Sequence, residues 1–197
     1  MKRLMIVLVV VALFAGCKRG YKWKKYTYKD GAFSLMSPGK AKEQKHTLKP
    51  FGNGLKIKLR LFMYERGTRL FMYGYSDYPP VLLRFSKPKD TLEGAAKGSV
   101  KRFSYAKFRT KKMIKKDGHP GMELVVDGER KGLKFTYYAR LYLRNNRLYQ
   151  TVAMYPRGDN DKASKKFLDS FTFLPMPNAK ATKRRAAPAP RRPSPRN

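Results

Sequence analysis

The chain contains a single cysteine, Cys17, and the residues before it indicate which chemistry its thiol can enter. Two basic residues precede an apolar run of eleven residues, Leu4 to Phe14, and the small pair Ala15-Gly16 separates that run from the thiol. A positive start, a short apolar run and small residues, in this order, are typical of an export signal. At about 1.5 Å per residue the run reaches roughly 16 Å, too short for a hydrocarbon core of about 30 Å. The sequence therefore predicts a signal peptide over residues 1–16 and a mature chain that begins at Cys17.

The stretch Phe14-Ala15-Gly16-Cys17 resembles the bacterial lipobox, with Phe14 where that pattern usually has Leu. The resemblance implies that Cys17 carries a diacylglyceryl group and acyl chains such as palmitate, so that the protein is tethered to a membrane and faces the periplasm. Lys18 stands where an Asp would favour the inner membrane in some bacteria, and the outer membrane is therefore favoured. The alternative is an ordinary secretory signal that leaves a free thiol near the mature terminus.

Beyond this thiol, the sequence shows no pattern typical of a catalytic or metal site. Its two histidines are His46 and His119, and neither has a nucleophile or carboxylates at a spacing that would build such a site. His119 lies in a turn rich in glycine and proline, where a structural role is expected. Asp127-Gly128-Glu129 resembles part of a cation loop, but the flanking strands predict a hairpin turn instead. We predict a protein that is not an enzyme and that has no cofactor and no metal.

The charge of the chain restricts its partners. There are 46 Lys and Arg residues against 13 Asp and Glu, which gives a formal net charge of +33. Such a surface attracts polyanions, and salt screens the attraction. For an exported, lipidated protein the available polyanions are anionic lipid, lipopolysaccharide and other envelope polymers or proteins. Nucleic acid is the less expected partner.

Composition divides the mature chain into three parts. A basic tether over residues 17–25 precedes one folded domain over residues 26–176, and residues 177–197 form a basic tail rich in Pro and Ala. The tail has too few apolar side chains to build a core, and we expect it to be disordered. Its expected contacts with an anionic surface are Lys183, Arg184, Arg185, Arg191 and Arg192. The alternative is a tail that only keeps the protein soluble.

Alternation of apolar and polar residues predicts long β-hairpins in the domain. One hairpin covers residues 55–75 and has an aliphatic face and an aromatic, cationic face. A second covers residues 133–154, where Asn145-Asn146 can supply the positive φ of a tight turn. Between these hairpins, residues 108–116 and 122–127 predict two further strands.

Two amphipathic helices are predicted beside the strands. Apolar residues between Leu92 and Phe103 recur at helical spacing, and Asp90 is placed to cap the helix. The second helix is expected to begin near Asp159 or Asn160 and to carry apolar residues inward as far as Phe171. The fold class predicted is therefore α+β: an antiparallel sheet of long hairpins, flanked by two amphipathic helices that each cover a sheet face.

One constellation combines aromatic rings with cations on the less apolar face of the hairpins. Such groups can stack on rings or sugars and pair with phosphates or carboxylates. The candidate surface consists of Lys56, Lys58, Arg60, Tyr73, Tyr75, Tyr138, Arg140, Tyr142, Arg144, Arg147 and Tyr149. The alternative is that these side chains pack beneath a helix or an N-terminal segment, with the cationic stems laid over the rings.

The order of elements and several short motifs resemble the PsbP-like superfamily, including its DcrB-like bacterial lipoproteins. The matching segments are residues 31–38 (GAFSLMSP), 118–123 (GHPGME) and 146–149 (NRLY), with Phe167 and Ser170-Phe171 near the end. The resemblance implies an antiparallel sheet flanked by helices and a non-enzymatic role in docking or assembly.

These observations together predict a lipid-anchored, non-enzymatic protein of the cell envelope. Its expected role is a binding or assembly module that contacts an anionic envelope component through its basic surface. The alternative is an exported binder of nucleic acid, or of polyanions in general, whose affinity would fall steeply with salt.

Overall fold

The computed structural model describes residues 20–48, 56–84, 86–159 and 162–177. The predicted signal peptide, Cys17 and the five predicted tail contacts lie outside the described residues. Within these ranges, no helix combines the length and the apolar character needed to cross a bilayer.

Strands make up most of the described chain. They are β1 (Lys24–Tyr28), β2 (Phe33–Ser37), β3 (Lys42–Leu48), β4 (Ile57–Arg66), β5 (Arg69–Asp77), β6 (Tyr105–Lys116), β7 (His119–Arg130), β8 (Leu133–Arg144), β9 (Arg147–Pro156) and β10 (Thr172–Phe173). The helices of the described ranges are α1 (Pro80–Leu83), α2 (Pro88–Val100) and α3 (Lys162–Asp169). One sheet has the strand order β1-β2-β10 and the other β3-β4-β5-β9-β8-β7-β6, with antiparallel pairing in both. The predicted antiparallel sheet of long hairpins is confirmed, with a few helices beside it.

Backbone angles explain where the long strands turn. Asn145 has a φ of 55°, which confirms the predicted turn between β8 and β9. The turn after β7 is formed by Lys131 and Gly132, with φ of 51° and 77°. The prediction of a turn at Asp127-Gly128-Glu129 is wrong, because these residues continue β7 and pair with residues 134–136 of β8. The strand reverses only at Gly132, where a glycine adopts positive φ without a steric penalty.

Helix α2 begins three residues earlier than predicted, because its N-cap is Lys87 and not Asp90. Its first residue is Pro88, which fits the first turn because an N–H is not needed there. Asp90, predicted as the cap, lies within that first turn, where its charge favours the helix dipole. The apolar stripe of the helix packs on β7 and β8, with Leu92 and Ala96 fully buried.

The seven-stranded sheet is apolar on both faces, and different layers cover them. The aromatic side is the face that carries Phe62, Phe71, Tyr73, Tyr149 and Tyr155. It lies beneath the three-stranded sheet and α3. The aliphatic side is the opposite face, which carries Leu124, Val126, Ala139, Leu141 and Val152. Helix α2 packs on this side over β7 and β8, so the half formed by β4 and β5 lies beyond the helix.

Two glycines lead to opposite expectations for the same substitution. A Cβ at Gly74 of β5 would overlap the backbone carbonyl oxygen of Arg60 on β4. We expect Gly74→Ala to push the strands apart and to lower the free energy of unfolding by about 2–3 kcal/mol. Gly94 lies inside α2 with open space around it, so Gly94→Ala is expected to raise that free energy by about 1 kcal/mol. Urea denaturation measures both, and equal effects would contradict the close approach at Gly74.

Candidate functional site

The tyrosines of the predicted binding surface are buried. Their exposed fractions are 0% for Tyr73 and Tyr149, 3% for Tyr142 and 5% for Tyr75. Phe33 of β2 packs edge-on against three of these rings, and Phe171 stacks on a fourth. Tyr138 is half-buried at the margin of the same cluster. The prediction that these tyrosines form an open surface is wrong, because the N-terminal strands and the C-terminal segment lie over them.

Two arginines of the same set are bound to carboxylates and rings of the fold. Arg147 donates two hydrogen bonds to Asp77, at 2.5 and 2.9 Å, and its guanidinium carbon lies 4.3 Å from the ring centre of Tyr75. Arg60 donates to Glu43 at 2.8 Å and to the hydroxyl of Tyr75 at 3.0 Å. Charge-assisted pairs of this kind fix the arginine geometry and hold the edge of the aromatic side.

The next two arginines hold the C-terminal part of the chain on the sheet. Arg140 donates to Glu123 at 2.9 Å and to Asp169 of α3 at 2.6 Å. Arg144 donates to the backbone carbonyl oxygen of Leu174 at 2.7 Å. Their charges are used inside the fold and are not presented to a ligand.

Only two of the eleven predicted surface residues are exposed. These are Lys56 and Lys58, and within the described ranges neither makes an ion pair. The other predicted surface residues match the alternative interpretation, in which they pack inside the fold. Their rings lie beneath an N-terminal layer, and cationic stems lie over the rings.

Among the described residues, no helix or strand covers the β4 and β5 half of the aliphatic side. A groove of about 410 Å³ runs along it beside the C-terminal end of α2. Its floor is made of half-buried side chains: Leu59, Leu61, Met63, Leu70, Met72 and Met154. The groove exists because a helix about 10 Å wide covers only about two strands at a spacing of about 4.8 Å.

Two arginines stand at one end of this aliphatic groove. Arg102 follows α2 and Arg130 ends β7, and both are exposed and line the groove. Within the described ranges neither makes an ion pair or a side-chain hydrogen bond, in contrast to the arginines of the aromatic side. None of the described residues that line the groove is acidic. The groove therefore combines an apolar floor with uncompensated positive charge.

A buried hydroxyl lies in the wall between the groove and α2. Tyr137 lines the groove and is 4% exposed, and its hydroxyl has no hydrogen-bond partner among the described residues. The nearby Ser99 hydroxyl donates to the carbonyl oxygen of Ala96 at 2.8 Å. Burial raises the pKa of Tyr137 to about 12, against a smaller opposing effect of Ser99. The Tyr137 hydroxyl therefore stays protonated at neutral pH and can donate a hydrogen bond.

The same end of the molecule holds the start of the described chain. We name it the turn end, because the β4–β5 turn, the β7–β8 turn and the C-terminal end of α2 meet there. The carbonyl oxygen of Gly20 accepts a hydrogen bond from Arg66 at 3.2 Å, which places the chain start at this end. The acids described at the same end include Glu65 and Glu129, and Asp159, which pairs with Arg69. Its exposed cations without an ion pair in the described ranges are Lys101, Arg102, Arg130, Lys131, Lys134 and Arg157.

The histidines lie apart from each other. His46 is on the edge strand β3, within 3.3 Å of the side chain of Gln44, and lines the rim of the groove. His119 packs edge-on against Phe173 at a ring distance of 5.3 Å. Within the part of the chain that the structure describes, no three His, Cys, Asp or Glu side chains form a group that could hold a metal ion.

Comparison with known proteins shows the fold. No protein-family model matches the sequence, and no curated protein does. The solution structure of cyanobacterial PsbP (CyanoP) from Synechocystis sp. PCC 6803 aligns with 81% of this chain and 96% of its own, at a TM-score of 0.53 and 12% identity. The chain therefore has a PsbP-like fold, as its motifs predicted. A protein of unknown function from Pseudomonas aeruginosa, PA94, a putative regulator, aligns with 79% of this chain and 99% of its own, at a TM-score of 0.43 and 14% identity.

The carboxylate of Glu123 makes the stability of the fold depend on pH. Burial raises its pKa, but hydrogen bonds from Lys112 and Arg140 outweigh burial, so the pKa is lowered from its ordinary value of 4.5. A lowered pKa contributes stability that is present above the unfolded-state pKa and is lost as the pH falls through the folded-state value. We expect Glu123→Gln to lower the free energy of unfolding by about 1–2 kcal/mol near neutral pH.

The difference between wild type and Glu123→Gln should begin to shrink as the pH falls below the ordinary carboxylate pKa and should vanish below the lowered folded-state pKa, where the native side chain is protonated as well. Urea denaturation near neutral pH and in acid measures it. The matched control is Glu65→Gln, an exposed carboxylate on β4 without an ion pair in the described ranges. A loss in Glu123→Gln that is the same at both pH values would contradict the role of the charge.

Proposed function

We propose that this protein is a lipid-anchored, non-enzymatic component of the bacterial cell envelope. It acts as a binding or assembly module and contacts an anionic envelope component through its basic surface. The anchor is supported by the export signal and by the lipobox-like stretch Phe14-Ala15-Gly16-Cys17. The periplasmic side of the outer membrane is the favoured location. The observation that carries the anionic contact is that Gly20 lies at the turn end, which carries exposed cations that make no ion pair with the described residues.

Cys17 lies only a few residues before the first described residue, Gly20. Gly20 is three residues after Cys17, so an extended chain keeps Cys17 within about 11 Å of Gly20. The segment is held there by Tyr21, whose ring packs on Phe71 at 5.5 Å and whose hydroxyl accepts a hydrogen bond from Arg69 at 3.1 Å. A lipid on Cys17 would therefore hold the turn end beside the bilayer.

The free cations of the turn end favour an anionic surface. Each Lys or Arg near an anionic leaflet contributes up to about 1 kcal/mol, and less as the salt concentration rises. Asp159 does not oppose this attraction, because its carboxylate pairs with Arg69 at 2.6 Å. The cations would add an electrostatic contact to the hold of the acyl chains, and the two together give stable anchoring.

The basic tail begins at the other end of the molecule. Arg144 holds Leu174 beside the Asn145-Asn146 turn, which is opposite the turn end along the strands. About ten residues of strand, or roughly 33 Å, separate the two ends. The predicted tail of residues 177–197 therefore starts away from the anchor, in a position to contact a second anionic component.

The anchor is tested by the mass of the mature N-terminus and by membrane extraction. We expect wild-type protein from cell envelopes to carry a diacylglyceryl group on Cys17 and to stay with the membrane at high salt, because acyl burial is not screened. A Cys17→Ser chain exported behind a general secretory signal is the control, and high salt should release it. An unmodified Cys17 on protein recovered in aqueous extract would contradict the proposal.

The contact with an anionic surface is tested by charge reversal in the Cys17→Ser chain. The triple variant Lys131→Glu, Lys134→Glu and Arg157→Glu should lose most retention on vesicles that contain phosphatidylglycerol, measured by sedimentation at low salt. The control reverses the same number of charges away from the turn end: Lys87→Glu, Lys89→Glu and Lys115→Glu. Equal losses in the two variants would indicate attraction by net charge alone, without a preferred surface.

A further inference from the structure

The aliphatic groove, which shares Arg102 and Arg130 with the turn end, has the features of a ligand site. We infer that it binds one acyl chain of an anionic phospholipid taken from the bilayer beside the anchor, with Arg102 and Arg130 holding the headgroup. This inference rests on the proposed membrane location and adds a ligand and a binding site to it.

The floor of the groove suits a hydrocarbon chain. Its aliphatic and thioether side chains are half-buried, so a chain laid on them removes apolar surface from water on both partners. Methionines such as Met63, Met72 and Met154 adapt their shape to a flexible ligand. Along β4 the floor extends from Leu59 to Met63, about 13 Å of strand. This length is close to the half-thickness of a hydrocarbon core, about 15 Å.

A second cavity connects the groove to the turn end. It has a volume of about 480 Å³, lies between the β4–β5 and β7–β8 turns, and shares Arg130 and Met154 with the groove. Leu133, 67% exposed, lies at this cavity beside Lys131 and Lys134. If Cys17 is anchored, the cavity faces the membrane, and an acyl chain can pass into the groove without crossing open solvent.

Charge selects an anionic headgroup over a neutral or cationic one. A guanidinium pairs with phosphate through two parallel hydrogen bonds, and Arg102 and Arg130 are free of ion pairs within the described ranges. The described lining has no carboxylate that would repel a phosphate.

A second copy of this chain is a poor occupant by the same reasoning. The full chain has a formal net charge of +33, or +31 without Lys2 and Arg3, so two copies repel each other. An apolar groove with two arginines at one end therefore favours a small anionic amphiphile over another copy.

The test uses the acylated full chain in vesicles that contain phosphatidylglycerol with a diazirine near the end of one acyl chain. After irradiation, peptide mass spectrometry locates the crosslinks. We expect them on the peptides that carry Leu61, Met72 and Met154. The same diazirine in phosphatidylcholine should give about tenfold less crosslinking, because the two arginines no longer pair with a net negative headgroup.

Two variants with matched controls test separately how the apolar floor and the two arginines of the groove contribute to lipid binding. Leu61→Glu places a carboxylate in the floor and should abolish the crosslinks, whereas Val81→Glu, an exposed apolar position on α1, should not. The double variant Arg102→Gln and Arg130→Gln changes only exposed side chains and should lower the yield about tenfold. Its control, Lys87→Gln with Lys89→Gln, loses the same charge at the start of α2 and should keep the yield.

Each outcome decides the inference separately from the proposed anchor. Crosslinks confined to other surfaces, or equal yields for the two lipids, would overturn the site while retention on the vesicles still supports the membrane contact. An acyl probe on Cys17 that crosslinks to the floor, with no crosslink from phosphatidylglycerol, would show that the protein's own lipid fills the groove and would also overturn it. Loss of acylation at Cys17 would overturn the proposed function itself.

Discussion

The cover over the aromatic side of the seven-stranded sheet is the constraint on which the rest of the structure depends. Phe71, Tyr73 and Tyr149 are fully buried, and burying rings of this size dominates the energy of a core. The cover comes from both ends of the domain, β1 and β2 at the start and α3 with β10 at the end. Closing this layer therefore fixes where the chain enters and leaves, at opposite ends of the strands. The positions of Gly20 and Leu174 at opposite ends of the sheet follow from the packing of aromatic rings.

The same layer determines which charges remain available. The fold is poor in acids, and several of them pair with arginines at the edge of the aromatic side, as Asp77 does with Arg147 and Glu123 with Arg140. These pairs are partly buried, so removing one partner would leave a charge without compensation. The positive charges left over lie elsewhere, on the edge strands and at the turn end. Net charge alone does not reveal this division between structural and free cations.

Much of the fold could be predicted from the sequence, because period-two alternation, turn residues such as Asn145 and the apolar spacing of α2 are local signals. The face of each hairpin that is buried could not be predicted from the sequence, because both faces carry side chains that pack well. The face that is buried depends on the pairing of β5 with β9, which are distant in the sequence. It also depends on residues such as Tyr21 and Trp23, which lie in a segment that resembles a basic tether but cover the sheet. The candidate surface therefore lies on a covered face, and the aliphatic groove has no local signal in the sequence. The small number of predicted helices is the signal for an uncovered part of the sheet, because one helix cannot cover seven strands.

An open aliphatic face is a liability for a protein at high local concentration, because exposed apolar patches promote association. The long edge strands β3 and β6 carry the same risk, and both are rich in lysine, which opposes pairing with another edge. The cations at the rim of the groove act in the same way, because they repel a second copy of an equally basic chain. They do not repel an anionic amphiphile, whose headgroup they attract and whose acyl chain the floor can cover. Under the proposed function, one arrangement of charge opposes self-association and favours an anionic lipid, and this proposal explains the basicity of the chain and its groove together.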